Sequence, residues 1–214
     1  CETPDGEFVS TLFITRRAGT QSWRGAPGDP TPKEEIRRKE SLPVWAHRRG
    51  KTYADGLHLP TKEQPMPDAV SSATPKAGFS IETRLPEEHE ELWVYFEVNN
   101  STDFNETYRK DAEKKSEFYS GGPWGSGQPA LVYGARVEIS ELIGAQGEDT
   151  ARPVTLDLIG HSSPDGSTGK IYRKTEGLTT ALDIIDEVEL SFSGSGGNAL
   201  ADSEAISEEV SERD

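Results

Sequence analysis

Cysteine occurs once in the 214 residues, at position 1. A single thiol excludes an intramolecular disulfide. At the head of a chain it points to one chemistry above others, the thioether attachment of a diacylglycerol that bacterial lipoproteins carry. Residues Glu2–Gly6 (ETPDG) are polar and turn-forming, as a tether between membrane and domain should be. Two or three acyl chains hold a protein to a bilayer stably where one does not. The expectation is a lipidated Cys1 on a tether of residues 1–7, with the domain on the periplasmic side of a bacterial membrane. No stretch approaches the ~20 apolar residues of a membrane-spanning helix.

The other residue types that do chemistry form no catalytic set. His47, His58, His89 and His161 show neither H-x-x-H nor HExxH spacing, so no metal site and no cofactor is expected. Gly166-Ser167-Thr168-Gly169-Lys170 lacks the four-residue gap and the final Ser/Thr of a phosphate-binding loop, and reads as a hairpin turn. Gly125-Ser126-Gly127 has the wrong spacing for a nucleophile elbow. Glu87, Glu88, Glu90 and Glu91 around His89 read as a solvated turn. Asn99, Asn100 and Asn105 each open an N-x-[ST] triplet, which reads here as loop hydrogen bonding. Trp23, Trp45 and Trp124 lie in or beside Gly/Pro-rich or basic segments. An exposed tryptophan on a loop makes a good interface anchor, which singles out Trp124 in Gly121–Pro129 (GGPWGSGQP). Arg48 and Arg49 beside Trp45 would suit anionic head groups or an acidic subunit.

Charge narrows the partners. Net charge is −15, unevenly spread: residues 1–62 hold 11 Lys/Arg against 8 Asp/Glu, and residues 63–214 hold 12 against 30. The acidic majority argues against nucleic acid, which needs clustered Lys/Arg. An acidic face would instead steer a basic soluble carrier such as a cytochrome.

These residues must be positioned by a chain lean in apolar content (32%) and rich in glycine (21) and proline (14), which favours short strands and turns. Leu92–Val98 (LWVYFEV) has six apolar or aromatic residues of seven and reads as a strand buried on both faces. Gly78–Leu85 alternates in the pattern of a half-buried strand and is expected to form a hairpin with it. Further strands are expected at Phe8–Thr15 (central), Leu42–Arg49, Ala130–Ile139 with Gly134 as a bulge, Val154–His161, Thr168–Arg173 and Glu187–Phe192. Glu34–Glu40 and Tyr108–Tyr119 suit short helices. About eight strands with long loops and one or two short helices predict an all-β fold, an antiparallel Ig-like β-sandwich over residues 8–193. Residues 194–214 form a Gly/Ser-led acidic tail. By composition it is disordered alone, with Leu200, Ile206 and Val210 among its few anchors for a partner.

Six ordered blocks resemble a family of predicted periplasmic proteins, a domain of unknown function: FVSTLFITRRAGTQSW, LPVW at Leu42–Trp45, DAVSSATPKAG at Asp68–Gly78, WVYFEVNNSTDFNE at Trp93–Glu106, SGQPALVYGARVEI at Ser126–Ile139 and GLTTALDIIDEVEL at Gly177–Leu190. The resemblance implies an Ig-like β-domain, exported and often membrane-tethered, that accompanies redox or flavin-handling membrane systems. It implies no catalytic residues. The expected function is that of a non-enzymatic, lipid-anchored accessory subunit of a membrane protein complex, with a respiratory or photosynthetic electron-transfer assembly as the specific expectation. Its partner-binding residues would be Trp45, Arg48, Arg49, Trp124, Leu200, Ile206 and Val210. The alternative is a periplasmic small-ligand or metal-binding module with its site at Trp124 and the 121–129 loop.

Overall fold

A computed structural model describes residues 1–20, 37–66, 70–72, 78–83, 88–139 and 153–191. The fold is mainly β. Among the described residues, seven short strands make three sheets, two of them antiparallel, with a few short helical turns between them.

The principal sheet has three strands, β3 (Glu91–Val98), β4 (Leu131–Glu138) and β6 (Asp157–His161), in the order β3-β4-β6. β3 and β4 pair without interruption from Glu91↔Glu138 to Val98↔Leu131. The two most apolar segments of the chain thus lie side by side, but β4 occupies the centre. Leu131, Val132 and Tyr133 are buried in succession, whereas β3 buries only Leu92 and Val94 and half-exposes the residues between them. LWVYFEV is therefore an outer strand with one fully buried face and one that α2 covers only in part. Its free edge takes up Glu2, whose backbone exchanges hydrogen bonds with Trp93 at 2.9 and 2.8 Å. The register slip in the sheet falls between Val132 and Tyr133, not at Gly134.

One face of this sheet carries the main core. Leu92, Val94, Leu131, Tyr133 and Val137 pack with Tyr108, Leu156, Leu178 and Ala181. A fully buried Leu or Val contributes roughly 1.5–3 kcal/mol relative to exposure, so these residues carry much of the fold. Against this core also pack Val154 and Leu190 from the small antiparallel sheet of β5 (Val154–Thr155) and β7 (Glu189–Leu190). The opposite face presents Tyr95, Glu97 and Val132, which share a side by register. Here lies α2 (Pro43–Arg48). The third sheet is a parallel pair, β1 (Phe13–Thr15) with β2 (Val70–Ser72), followed after β1 by the one-turn α1 (Arg16–Thr20).

Several expectations are corrected. Leu42–Arg49 is a helix, not a strand. Pro43 sits in its first turn, where a missing N–H costs nothing, and His47 and Arg48 end it. Gly78–Thr83 forms no strand and lies exposed, so the hairpin partner of β3 is β4. Phe8–Thr15 is strand only over Phe13–Thr15 and is not central. Residues 37–40 form a turn and 108–119 a series of turns, neither of them helical. Thr168–Arg173 contributes only a bridge from Tyr172 to His161. Residues 1–9, whose first seven read as a tether, fold back as a tight hairpin: Thr3 N–H donates to Glu7 O and Val9 N–H to Cys1 O. Trp23, residues 84–87 and the tail with Leu200, Ile206 and Val210 lie outside the described residues.

Candidate functional site

α2 and its C-cap carry Trp45, Arg48 and Arg49, three of the residues singled out from sequence. Its N-terminus has no cap from Leu42, the residue that precedes it. The cap comes from β3: Glu97 accepts the Val44 N–H on one carboxylate oxygen at 3.0 Å and the Trp45 N–H on the other at 2.7 Å. Burial pushes the Glu97 carboxyl up to about 7, against the pull of these two N–H donors and of Arg48. Glu97 belongs to a cavity of about 130 Å³ whose walls include Cys1, Leu12, Phe13, Trp45 and Arg48. Cys1 and the Trp45–Arg48 turn, 44 positions apart, therefore meet. The half-buried Cys1 thiol lies 3.3 Å from Ser10 Oγ.

The cations of this region turn inward. Arg48 pairs with the buried Glu2 carboxylate and lies 4.9 Å from the centre of the Tyr95 ring. Burial raises the Glu2 pKa and Arg48 opposes that rise. Arg49 lies 4.7 Å over the Trp45 ring and donates to Tyr53 Oη at 3.3 Å. The Trp45 indole N–H donates to Thr11 Oγ1 at 3.0 Å. These three residues make contacts within the fold.

Trp124 is different. Its side chain is 49% exposed, yet its loop is locked. A one-turn 3-10 segment, Gly122–Trp124, closes with the Gly125 N–H on Gly122 O at 3.0 Å. Gly125 passes so near the chain that a Cβ there would lie 1.7 Å from Ser120 O, which makes glycine obligatory. Ser126 N–H donates to Ser120 O at 3.0 Å, Gly127 N–H to Ser120 Oγ at 3.0 Å, and Arg38 to Trp124 O at 3.2 Å. Behind the loop, the buried Gln128 amide donates to Asp103 Oδ2 at 2.8 Å and to Thr180 Oγ1 at 2.7 Å, and accepts the Thr179 N–H at 2.6 Å. Asn99 donates to the backbone oxygens of Glu40 and Ser41, and Asn105 to that of Gly177, so these asparagines do bind loops together.

A third place was not legible in the sequence. His47 at the end of α2 and His58, eleven residues on, lie with ring centroids 4.1 Å apart and ring planes tilted by 36°. With Lys39, Gly166 and Ser167 they line a cavity of about 180 Å³. Gly166 and Ser167, the first two residues of the Gly166–Lys170 segment that lacks phosphate-loop spacing, form one wall of it. Spacing alone gave no signal, because three separate loops converge there. His89 is half-buried in its turn, and His161 is buried against the Tyr172 ring. Among the described residues, no group of three or more His, Cys, Asp or Glu stands together to hold a metal, and no helix is long and apolar enough to cross a membrane.

No protein-family model matches this chain, and no curated protein or solved structure does. The family resemblance therefore rests on the quoted sequence blocks.

Proposed function

We propose that this chain is a non-catalytic accessory subunit of a membrane protein complex, held at the periplasmic side of a bacterial membrane through lipid on Cys1, and that it docks a partner protein through Trp124. An electron-transfer complex is the specific assembly proposed, on the acidity of residues 63–214 and the family resemblance. One observation carries the docking surface: a half-exposed indole on a loop whose backbone is fixed by hydrogen bonds and close glycine contacts. A large aromatic side chain presented on a rigid support loses little entropy on binding, which is the property of an interface anchor. The proposed fold in full is an Ig-like sandwich, with the β5–β7 sheet as the second layer over the β3-β4-β6 core. The packing of Val154 and Leu190 supports it.

Gentle detergent extraction followed by native electrophoresis tests the assembly, and migration with a larger complex is the expected result. Trp124→Ala should release the chain, since loss of a central tryptophan anchor weakens binding by about 2 kcal/mol, or ~30-fold. Its fold should change by no more than about 0.5 kcal/mol, because the indole is not part of the core. Migration of the native protein as a free 23 kDa species would end the proposal.

A further inference from the structure

We propose that the cavity between the end of α2, the 56–59 segment and the Gly166–Ser167 turn is a proton-gated site for a small tetrahedral oxyanion of the sulfate or phosphate type. The proposal is separate from the accessory role and uses none of its residues.

The tautomers carry the argument. His47 Nε2 lies 3.2 Å from Gly166 O, and His58 Nδ1 lies 3.2 Å from Lys51 O. A carbonyl oxygen only accepts, so both of these nitrogens bear hydrogen. In neutral rings the remaining nitrogens, His47 Nδ1 and His58 Nε2, are then bare lone pairs. Neither has a hydrogen-bond partner among the described residues, and both rings line the cavity. Each ring is thus oriented by a backbone carbonyl and keeps one free nitrogen. Protonation turns that nitrogen into a charged donor, and the new hydrogen is not needed elsewhere in the fold.

The charges around the cavity decide what such donors would hold. Lys39 is a third cationic group on its wall, and no carboxylate lines it among the described residues. The nearby acids are already engaged: Asp55 with Arg37 and the Leu57 N–H, Asp165 with the Ser167 N–H. Arg49 donates to His58 O, and Lys51 lies over the Tyr53 ring. Burial lowers the His47 pKa, and the nearness of His58 and Lys39 lowers it further. Without an anion, His47 is therefore biased toward its neutral form. An oxyanion between Lys39 and the rings reverses that balance, because it rewards protonation of the same nitrogens. Binding and proton uptake become one event. A divalent cation is the poorer occupant, since Lys39 repels it and no third protein ligand stands there among the described residues.

The test is calorimetric titration of the full chain with sodium sulfate, whose charge does not change between pH 5.5 and 7.5. Binding should strengthen as pH falls from 7.5 toward 5.5, by at most about tenfold per pH unit for every proton coupled to it, and level off once the free rings are themselves protonated. Repeating the titration in two buffers of different ionisation enthalpy should show roughly one proton taken up per sulfate. His58→Gln should lower that uptake, and Lys39→Met should weaken sulfate about threefold or more while leaving the uptake in place. Both side chains lie at the edge of the fold, and circular dichroism checks that each variant is folded. Vesicles carrying phosphatidic acid, run beside inorganic phosphate, distinguish a lipid head group from a free ion as the source. Sulfate binding that is independent of pH, or unchanged in His58→Gln, would overturn the proposal. So would the absence of sulfate binding at pH 5.5, or Zn²⁺ binding to both histidines that sulfate fails to displace.

Discussion

Glu97 offers a direct measurement of how this fold balances burial against capping. The ordinary carboxyl value of 4.5 rises to about 7 in the folded chain because the cavity beneath α2 desolvates the charge. Between pH 4.5 and 7 the folded protein therefore binds more protons than the unfolded chain, so stability from this group falls as pH rises through that window and changes little above it. At 1.36 kcal/mol per pH unit the full span corresponds to about 3 kcal/mol, and partial solvent access to the side chain brings the expected loss to about 2 kcal/mol. Glu97→Gln is neutral at every pH and resembles the protonated acid, with one accepting oxygen for the two N–H donors of Val44 and Trp45. The variant should match the wild type within about 1 kcal/mol at pH 4.5–5 and be the more stable by about 2 kcal/mol at pH 8. Urea denaturation of both proteins at half-unit pH intervals gives the difference curve, in which every other titrating group cancels. A flat curve would show that Glu97 ionises normally. A curve of opposite slope would show that the helix N-terminus holds the carboxylate more strongly than burial opposes it, and the reasoning would be refuted.

Other perturbations follow from the same geometry. Gln128→Ala removes the buried amide that joins Asp103, Thr179 and Thr180, whose own polar groups water can reach. It should cost about 1–3 kcal/mol in urea denaturation. Gly160 has φ of +148°, and a Cβ there would lie 2.3 Å from Tyr172 O, so Gly160→Ala should break the His161–Tyr172 bridge and cost about 2–3 kcal/mol. Loss of amide protection at His161 and Tyr172 in hydrogen exchange would confirm where that damage falls.

The strands that pack were legible because apolar runs report burial directly. LWVYFEV and ALVYGARVEI both became strands of the main sheet. Their ranking was not legible, because centrality depends on which neighbours arrive. β4 contains Arg136 and Glu138, which made it look less buried than β3, yet those charges lie beyond the segment that β6 covers. Alternation at Gly78–Arg84 misled for the converse reason. Phe79 and Ile81 remain 44% and 40% exposed, so a strand pattern existed without a sheet to receive it. At Tyr108–Tyr119 the good helix formers lost to local bonds. Asn105 Oδ1 accepts the N–H groups of both Thr107 and Tyr108, and Tyr108 turns in against the edge of Phe118.

α2 shows why the candidate sites were harder to read than the strands. Its helical start was signalled locally by Pro43, but its cap lies 53 residues away on β3, and no local rule supplies Glu97. The same six-residue helix faces two cavities: Trp45 and Arg48 line the one that contains Cys1 and Glu97, and His47 lines the other. Its two ends consequently respond to pH in different ways. The acid at the first turn gains charge as pH rises to about 7, and the imidazole at the last turn gains charge only as pH falls. A negative group is best placed at the start of a helix and a positive one at its end. Near neutral pH α2 therefore holds neither end group fully charged. An anion beside His47 would favour the positive imidazolium at that end without disturbing Glu97 at the other, so the proposed oxyanion would complete the charge pattern of α2 through the proton it brings.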